Sequence, residues 1–584
     1  MTAVRADKRV WAALVLGLVL TLPALWVGLQ LDDYFHWGLV TQHSPVLQTQ
    51  SPGSPYGLFS FVDGDPNRVS DLVNLGLLPW WTYPQVEYAF WRPITELTHI
   101  LDYGLWPRQP WLMHLHSLVY LLLLLGLSAH LLRRLQGDSA AWVWALFLFV
   151  VSYTHGVPAG WLANRNAVLA TLFLVLTLLA HHRWRQGDRG VLNFSAGLCF
   201  AAGLLCGEMA VSTGAYLVAY ALWLERGSLW ERLMSLGPYL VIGVAWLGMR
   251  ALLGYGASGS GHYLDPLQNP LLFLQTFAGR GADLLGGLFW VVPPELGSGL
   301  PAARRWVYLG LFLLLLAVAR PLLRRDARAR FWLTGALLCL VPVASTVPHS
   351  RLLIAASLGA AGFLGLLLAA WRQGELARGL MPRFLVAPML GLLLFLHLGM
   401  SALLLPLEVV SMRLLGDTYL NSGARNWQLE ALPAGTTPVL INPPLSSAGG
   451  YINGVRAYYG LPVTAQTWLL ASGMKPLQLT VIDEHSLELS AATGLYDAVQ
   501  EGVLRGPQAP FAVGDQVRLS GLVITVLATE QGAPVRARFQ FDAPLHSDRY
   551  AFYHWHSGKV AVCVLPPPGT SIELRLDSQH CAGP

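Results

Sequence analysis

Long apolar segments recur along the first 405 residues, and arginines cluster in the short stretches between them. A helix needs about 20 apolar residues to cross the hydrocarbon core of a bilayer, so this pattern predicts a polytopic α-helical membrane protein. With 54% hydrophobic and 12% charged residues, the chain is too apolar for a soluble enzyme. We predict about eleven transmembrane helices, at residues 11–30, 111–131, 140–155, 166–181, 191–206, 209–224, 234–253, 306–320, 331–347, 351–371 and 384–405.

The positions of the arginines predict the orientation of these helices. Cytoplasmic loops carry an excess of Lys and Arg, and an alternating path places each arginine-rich loop on the side of the N-terminus, which is therefore predicted to be cytoplasmic. Because most arginines lie in these loops, the net charge of +5 does not indicate a nucleic-acid partner. Residues 270–292 are apolar but contain Arg280 and Asp283. A span there would place the arginine-rich loop that follows on the external side of the membrane. We expect an interfacial or re-entrant segment instead.

The same path divides the chain into two domains. A transmembrane domain of residues 1–406 would include the external loops 31–110 and 254–305, and residues 407–584 would form a second, extracytoplasmic domain. Short runs rich in β-branched and aromatic residues, separated by glycine and proline, predict that this second domain is β-rich. In an oxidising extracytoplasmic location, Cys563 and Cys581 could form a disulfide.

Two aspartates, Asp32 and Asp33, follow the first predicted helix and would emerge together at its external end. Carboxylates at a membrane surface suit proton abstraction or metal binding, and they would face a substrate whose lipid tail lies in the bilayer. His36 follows one helical turn later. We therefore interpret the acidic pair as the centre of a candidate site.

Further polar residues are predicted at the same membrane face. Arg92 precedes Pro93, which would open a helix, so it is a candidate anion-binding residue, or it could pair with Glu96 and hold an amphipathic helix at the surface. Arg351 could bind a phosphate at headgroup level or simply extend its charge out of the membrane. The remaining candidates are His114, His155, Arg165 and Glu208. For His114 the alternative is a packing role, and for Glu208 it is a turn residue at the water boundary.

In this order along the chain, these residues resemble the GT-C superfamily of membrane glycosyltransferases, which includes protein O-mannosyltransferases and bacterial enzymes that use polyprenyl-phosphate sugars. The resemblance covers residues 10–405 and is carried by the acidic pair, Trp-Arg-Pro-Ile at 91–94, Asp-Tyr-Gly-Leu-Trp at 102–106, His114, His155 to Arg165, Glu208 and Arg351. The chain departs from many relatives at Asp33, where they carry glutamate, and at Gly207, where they carry lysine.

The resemblance implies a glycosyltransferase in a bacterial inner membrane, with the β-rich domain in the periplasm. It would transfer a hexose from a polyprenyl-phosphate donor to a hydroxyl of a protein or glycan acceptor, inverting the anomeric centre, with Asp32 or Asp33 as general base. Some members use a divalent metal ion such as Mg²⁺ or Mn²⁺, for which the same two aspartates would be the ligands. The implied donor-phosphate residues are Arg92, His114, Arg165 and Arg351, supported by His36, Glu96, His155 and Glu208.

Other interpretations fit the same sequence. An envelope transporter or scaffold protein would use the β-rich domain to bind a partner, although transporters often contain duplicated halves and no such repeat is visible here. A polysaccharide polymerase or ligase would share the lipid-linked donor but transfer whole glycans. The length of the bound donor would distinguish this last class.

Overall fold

The computed structural model describes residues 7–43, 53–187, 191–378, 382–497, 501–556 and 559–575. Within these residues the chain is mostly helical up to residue 426 and mostly strand and loop thereafter. The α-helices are α1 (Lys8–Thr21), α2 (Asp32–Val40), α3 (Pro66–Asn74), α4 (Pro93–Leu105), α5 (Pro110–Gln136), α6 (Ala140–Val150), α7 (Gly156–Gly160), α8 (Arg165–Arg185), α9 (Val191–Cys206), α10 (Ser212–Trp223), α11 (Leu229–Met234), α12 (Gly237–Leu252), α13 (Pro270–Trp290), α14 (Arg304–Arg325), α15 (Ala327–Val343), α16 (Ile354–Arg372), α17 (Arg383–Leu394), α18 (Ser401–Gly416), α19 (Ser422–Asn426) and α20 (Ser447–Tyr458).

Seven helical stretches in the described part of the chain are long and apolar enough to cross a membrane: Lys8–Trp26, Pro110–Gln136, Leu162–Arg185, Leu229–Leu252, Arg304–Arg325, Ser350–Arg372 and Phe384–Asn426. The bent pair Ala140–Val150 and Tyr153–Gly160 would make an eighth. At the other three predicted positions lie α9, α10 and α15, whose 16, 12 and 17 residues fall short of the about 20 that a span requires. A multi-pass helical membrane region is confirmed, with seven to eight candidate spans where eleven were predicted.

Two segments have features that the predicted topology did not specify. The segment 270–292, predicted as interfacial or re-entrant, contains the 21-residue helix α13, which is not among the candidate spans. Asp283 of this helix is paired with Arg304 and Arg305 at 2.9 and 2.8 Å. The last membrane stretch, Phe384–Asn426, runs for 43 residues, so the predicted domain boundary at residue 406 falls inside a continuous helical segment. This segment carries the chain directly into the C-terminal domain.

The strands form three sheets. They are β1 (Ser60–Asp63), β2 (Glu87–Ala89), β3 (Ala257–Ser258), β4 (Thr437–Leu440), β5 (Trp468–Leu469), β6 (Leu477–Val481), β7 (Ser486–Ser490), β8 (Gln516–Leu519), β9 (Leu522–Glu530), β10 (Ala533–Phe541), β11 (Tyr550–His556), β12 (Lys559–Val562) and β13 (Ser571–Leu574). β1, β2 and β3 form a small antiparallel sheet that joins loops 31–110 and 254–305, which are predicted to be external and are called the first and second external loops below. The C-terminal domain contains the rest, which confirms that it is β-rich.

The C-terminal domain contains one antiparallel and one mixed sheet. The six-stranded antiparallel sheet has the order β13-β6-β7-β10-β9-β8, and the four-stranded sheet has the order β12-β11-β4-β5. In the second sheet β4 is parallel to both β11 and β5. Parallel neighbours need a crossover connection, and α20 provides it between β4 and β5. No pattern in the sequence predicted helix α20, which belongs to the site described below.

The C-terminal domain and the first external loop share one hydrophobic core. Trp80, from the loop, is 2% exposed and donates its indole N–H to the carbonyl of Leu470 at 3.1 Å. The backbone N–H of Tyr83 donates to the carbonyl of Leu504 at 3.0 Å. A buried cluster containing Trp80, Leu470 and Tyr34 extends into the six-stranded sheet. The loop and the domain are therefore packed as one body, although hundreds of residues separate them in sequence.

Gly76 lies at this contact, and we expect Gly76→Ala to disrupt it. Gly76 has a φ of +74°, and an added Cβ would lie 1.5 Å from the carbonyl oxygen of Thr467. Gly137 provides a matched control, because its φ is +71° but an added Cβ would meet nothing within 4 Å. Gly137→Ala should cost about 1–3 kcal/mol of unfolding free energy through backbone strain alone. Gly76→Ala should cost clearly more and expose the C-terminal domain to limited proteolysis; equal melting temperatures for the two variants would contradict this.

Candidate functional site

A cavity of about 250 Å³ lies where the first external loop meets the C-terminal domain. Asp32 lines it, at the first turn of α2, where Leu31 takes a φ of +45° and turns the chain away from the first span. Asp32 is the one charged residue among those that line the cavity in the described part of the chain. The other lining residues are aromatic, aliphatic or small: Phe35, Phe61, Leu72, Leu77, Leu78, Pro79, Tyr88, Phe90, Tyr263, Ser446, Gly450, Tyr451, Val503 and Leu504.

Asp32 is surrounded by groups that act on its carboxylate. The hydroxyl of Tyr451, on α20, donates a hydrogen bond to Asp32 Oδ1. Burial raises the pKa of Asp32 above its ordinary value, while this hydrogen bond and the positive charges of Arg351 and Arg92 act to lower it. Three positions that sequence analysis selected, 32, 92 and 351, are therefore within electrostatic reach of one another.

Asp33 has a different environment from its neighbour. It is 0% exposed, its Oδ1 accepts the backbone N–H of Ala163 at 2.8 Å, and its Oδ2 accepts the N–H of Gln30 at 2.9 Å. Burial raises the pKa of Asp33 well above its ordinary value. Successive side chains on a helix point about 100° apart, so only Asp32 of the pair lines the cavity. Asp33 instead holds the turn before α2 against the turn before α8.

Arg92 pairs with Glu208 rather than with Glu96. Arg92 Nε donates to Glu208 Oε2 at 2.9 Å, and its guanidinium lies over the rings of Phe90 and Phe59, at 4.4 and 5.1 Å from their centroids. Glu96 is buried and accepts hydrogen bonds from the hydroxyl of Ser54 and, at 2.8 Å, from the N–H of Tyr56. The predicted Arg92–Glu96 pair is therefore not formed, and Glu96 instead fastens the loop around Tyr56.

Arg351 has a buried N–H group that donates no hydrogen bond to the described residues. Its Nε is buried and has no hydrogen-bond partner within the described residues. Its guanidinium lies over the Trp161 ring at 5.2 Å from the centroid. The preceding turn is held by Ser350, whose N–H donates to Glu295 Oε2 at 2.9 Å. The Nε atoms of Arg250 and Arg330 are buried without a hydrogen-bond partner among the described residues as well, so Arg351 is distinguished by its position, from which its charge acts on Asp32.

Other predicted site residues make contacts with protein groups. His114 Nε2 lies 3.0 Å from the carbonyl of Gly28, and His155 Nε2 lies 2.6 Å from that of Phe149. His36 is buried in a ring cluster, 5.3 Å from the centroid of His99. Arg165 is fully buried and its donors are taken by Asp102, Ser117, Thr98 and the carbonyl of Met113. None of these four predicted site residues is among the described residues that line the cavity.

Two predictions concern groups that the structure leaves undecided. In the described part of the chain, no three His, Cys, Asp or Glu side chains come together as metal ligands, and the predicted divalent ion stays a prediction. Cys563 is buried, whereas Cys581 lies outside the described residues. The predicted disulfide between them stays a prediction as well.

Sequence analysis did not select the tyrosines of the site. Tyr451, Tyr88 and Tyr263 line the cavity around Asp32 but come from the C-terminal domain and two different loops. No motif marks them, because the three tyrosines lie far apart in the sequence. Tyr263 lies 5.4 Å from Phe90, ring centroid to ring centroid, and so joins the second external loop to the first.

Fold and site together define a multi-pass helical membrane protein with a β-rich C-terminal domain and a cavity lined by one carboxylate, on which the charges of two arginines act. No protein-family model matches the sequence, and no curated protein matches it.

The solved structures that match include the crystal structure of the Archaeoglobus fulgidus oligosaccharyltransferase, tethered with an acceptor peptide containing the NVT sequon via a disulfide bond. The two chains are 14% identical, and the match covers 75% of this chain and 64% of that chain with a TM-score of 0.33. This chain therefore matches less than two thirds of the length of that protein. A TM-score this low supports no inference about the site.

Proposed function

We propose that this protein is an integral-membrane glycosyltransferase that moves a sugar from a polyprenyl-phosphate donor to an acceptor hydroxyl at the extracytoplasmic face. The observation that carries the proposal is Asp32, a carboxylate that lines a cavity with the charges of Arg92 and Arg351 in reach. A general base beside a cationic subsite is what transfer from a phosphate leaving group requires. The resemblance of the acidic pair, Glu208 and Arg351 to GT-C enzymes supports the same class.

Asp32 is the base in this proposal. Its carboxylate takes the proton of the acceptor hydroxyl while the hydroxyl oxygen attacks the anomeric carbon from the side opposite the phosphate. The bond from that carbon to the phosphate oxygen breaks, and the phosphate leaves with the electron pair, so one displacement inverts the anomeric centre. Asp33 is unsuited to this role, because its two oxygens already accept backbone N–H groups.

Arg351 and Arg92 bind the donor phosphate in this proposal. Charge accumulates on the leaving phosphate in the transition state, and cationic donors that are already in place stabilise it. The unpaired buried Nε of Arg351 can supply such a donor without first breaking a protein hydrogen bond. Arg92 is oriented by Glu208 and by two aromatic rings, which keeps its remaining guanidinium nitrogens available.

The rate of transfer should fall at acid pH with a midpoint above the ordinary pKa of aspartate. Only the ionised form of Asp32 accepts a proton, and burial raises its pKa. As the pH is lowered, the carboxylate is therefore lost earlier than that of an exposed aspartate. Initial rates across pH, with circular dichroism to confirm that the protein stays folded, measure this midpoint. A rate that stays constant down to about pH 4 would contradict the assignment.

The donor class is tested by what the purified protein binds. After incubation with bacterial membrane lipid extract, mass spectrometry should find a polyprenyl-phosphate sugar that co-purifies with the wild type. Arg351→Gln should lose this lipid, while Arg372→Gln, at the opposite end of the same span Ser350–Arg372, should retain it. A wild-type protein that carries no such lipid, or one lost equally in both variants, would contradict the proposed donor site. A bound polymer-length glycan would indicate a polymerase or ligase.

A further inference from the structure

Helix α20 of the C-terminal domain is held unusually close to the first external loop. A Cβ added at Gly449 would lie 2.5 Å from the carbonyl oxygen of Gly76, and one added at Gly450 would lie 2.8 Å from that of Leu77. One turn further on, a Cβ at Gly454 would lie 3.3 Å from Cβ of Tyr34. Glycine at these positions lets the helix backbone approach the loop directly. Tyr451 follows the first two glycines and is thereby placed over α2.

The contact that results is a hydrogen bond from the Tyr451 hydroxyl to Asp32 Oδ1. Burial raises the pKa of Tyr451 well above its ordinary value, so the phenol keeps its proton and acts as the donor. Within the described residues, Asp32 Oδ2 accepts no hydrogen bond from a protein group. One carboxylate oxygen is thus held by the C-terminal domain while the other is left for a ligand.

We propose that Tyr451 is a positioning residue for Asp32, and that the C-terminal domain thereby completes the catalytic site instead of serving as a separate appendage. This inference rests on the proposed function, in which Asp32 is the base. Tyr451 holds the carboxylate in one rotamer, aims Oδ2 into the cavity and stabilises the ionised form that accepts the proton. Loss of the hydroxyl would leave Asp32 in place but less readily ionised.

The environment of Asp32 contains other groups that influence its protonation, and these are unchanged by substitution of Tyr451. The charged and titratable groups that act on Asp32 or are acted on by it are Asp33 on α2, Arg92 before α4, Tyr103 on α4, Tyr88 on β2, Tyr263 in the second external loop and Arg351 before α16. A change seen on removal of the Tyr451 hydroxyl alone therefore reports this hydrogen bond.

Infrared titration of the full-length protein in lipid nanodiscs tests the contact without any substrate. The absorbance of the protonated Asp32 carboxyl is isolated by subtracting the spectrum of Asp32→Asn. In Tyr451→Phe the titration midpoint should rise by about one pH unit, since a hydrogen bond to the charged form is lost. Tyr459→Phe, on the exposed residue directly after the same helix, should leave the midpoint unchanged. Identical midpoints in wild type and Tyr451→Phe would overturn the inference.

A second measurement separates this inference from the proposed function. With a polyprenyl-phosphate hexose as donor, Tyr451→Phe should lower kcat with little change in KM and should move the acid limb of the pH profile upward. If the wild-type protein transferred no sugar from this donor, the proposed function would fail, while the infrared midpoint would still decide the Tyr451 contact. A reduced kcat with an unshifted pH profile would mean that Tyr451 only packs against Asp32 and does not affect its ionisation.

Discussion

Replacing Asp32 with asparagine should lower the rate of sugar transfer about 10²–10⁴-fold, the range that a general base contributes. Asparagine keeps the size of the side chain and can still accept the Tyr451 hydrogen bond through its amide oxygen, so the cavity should retain its shape. It cannot take a proton from the acceptor hydroxyl. Transfer from a polyprenyl-phosphate hexose, measured as release of polyprenyl phosphate by the purified protein, would report the loss.

Two further aspartate variants control this experiment. Asp71→Asn makes the same substitution on an exposed position of α3 and should leave transfer unchanged. Asp33→Asn should instead lower stability, because an amide nitrogen would face either the N–H of Gln30 or that of Ala163. Transfer near the wild-type level by Asp32→Asn, with the protein correctly inserted, would remove Asp32 from the role of base.

Replacing Asp102 with asparagine should cost about 3–5 kcal/mol of unfolding free energy, the usual effect of removing one partner from a buried ion pair. Asp102 and Arg165 have side chains that are 1% and 0% exposed, and Asp102 also accepts from His116 Nδ1 at 2.7 Å. The substitution would leave the Arg165 charge buried without its counter-ion. Denaturant titration of the protein in mixed micelles would measure the loss.

Asp138→Asn is the matched control, since it also removes the acidic partner of an arginine. Asp138 pairs with Arg133 at 2.7 Å, but the two side chains are 76% and 44% exposed. Exposed pairs contribute about 1 kcal/mol or less, so this variant should unfold almost as the wild type does. Arg165 bonds Asp102 of α4 and Ser117 of α5, so its network joins these helices to α8. Equal losses of unfolding free energy in the two variants would contradict a stabilising role for this network.

Part of the candidate site was accessible from the sequence because charged residues next to apolar segments are costly and therefore informative. Asp32, Arg92, Glu208 and Arg351 all stand out in this way, and the structure brings them within electrostatic reach of one cavity. Arg165 and His114 stand out equally, yet they are bound by protein groups. A rule based on local composition does not distinguish an unsatisfied buried donor from one that a distant residue satisfies.

The sequence by itself determined the class of this protein: apolar segments must leave water, arginine clusters resist crossing the bilayer, and β-rich runs follow in the C-terminal part. Only the tertiary structure decided that Asp32 and not Asp33 lines the cavity, and that Tyr451 from a distant domain reaches it. Partition into a bilayer depends on the composition of a short segment. A contact between residues 32 and 451 depends instead on how loop, crossover helix and sheet pack together, and no local pattern in the chain encodes that.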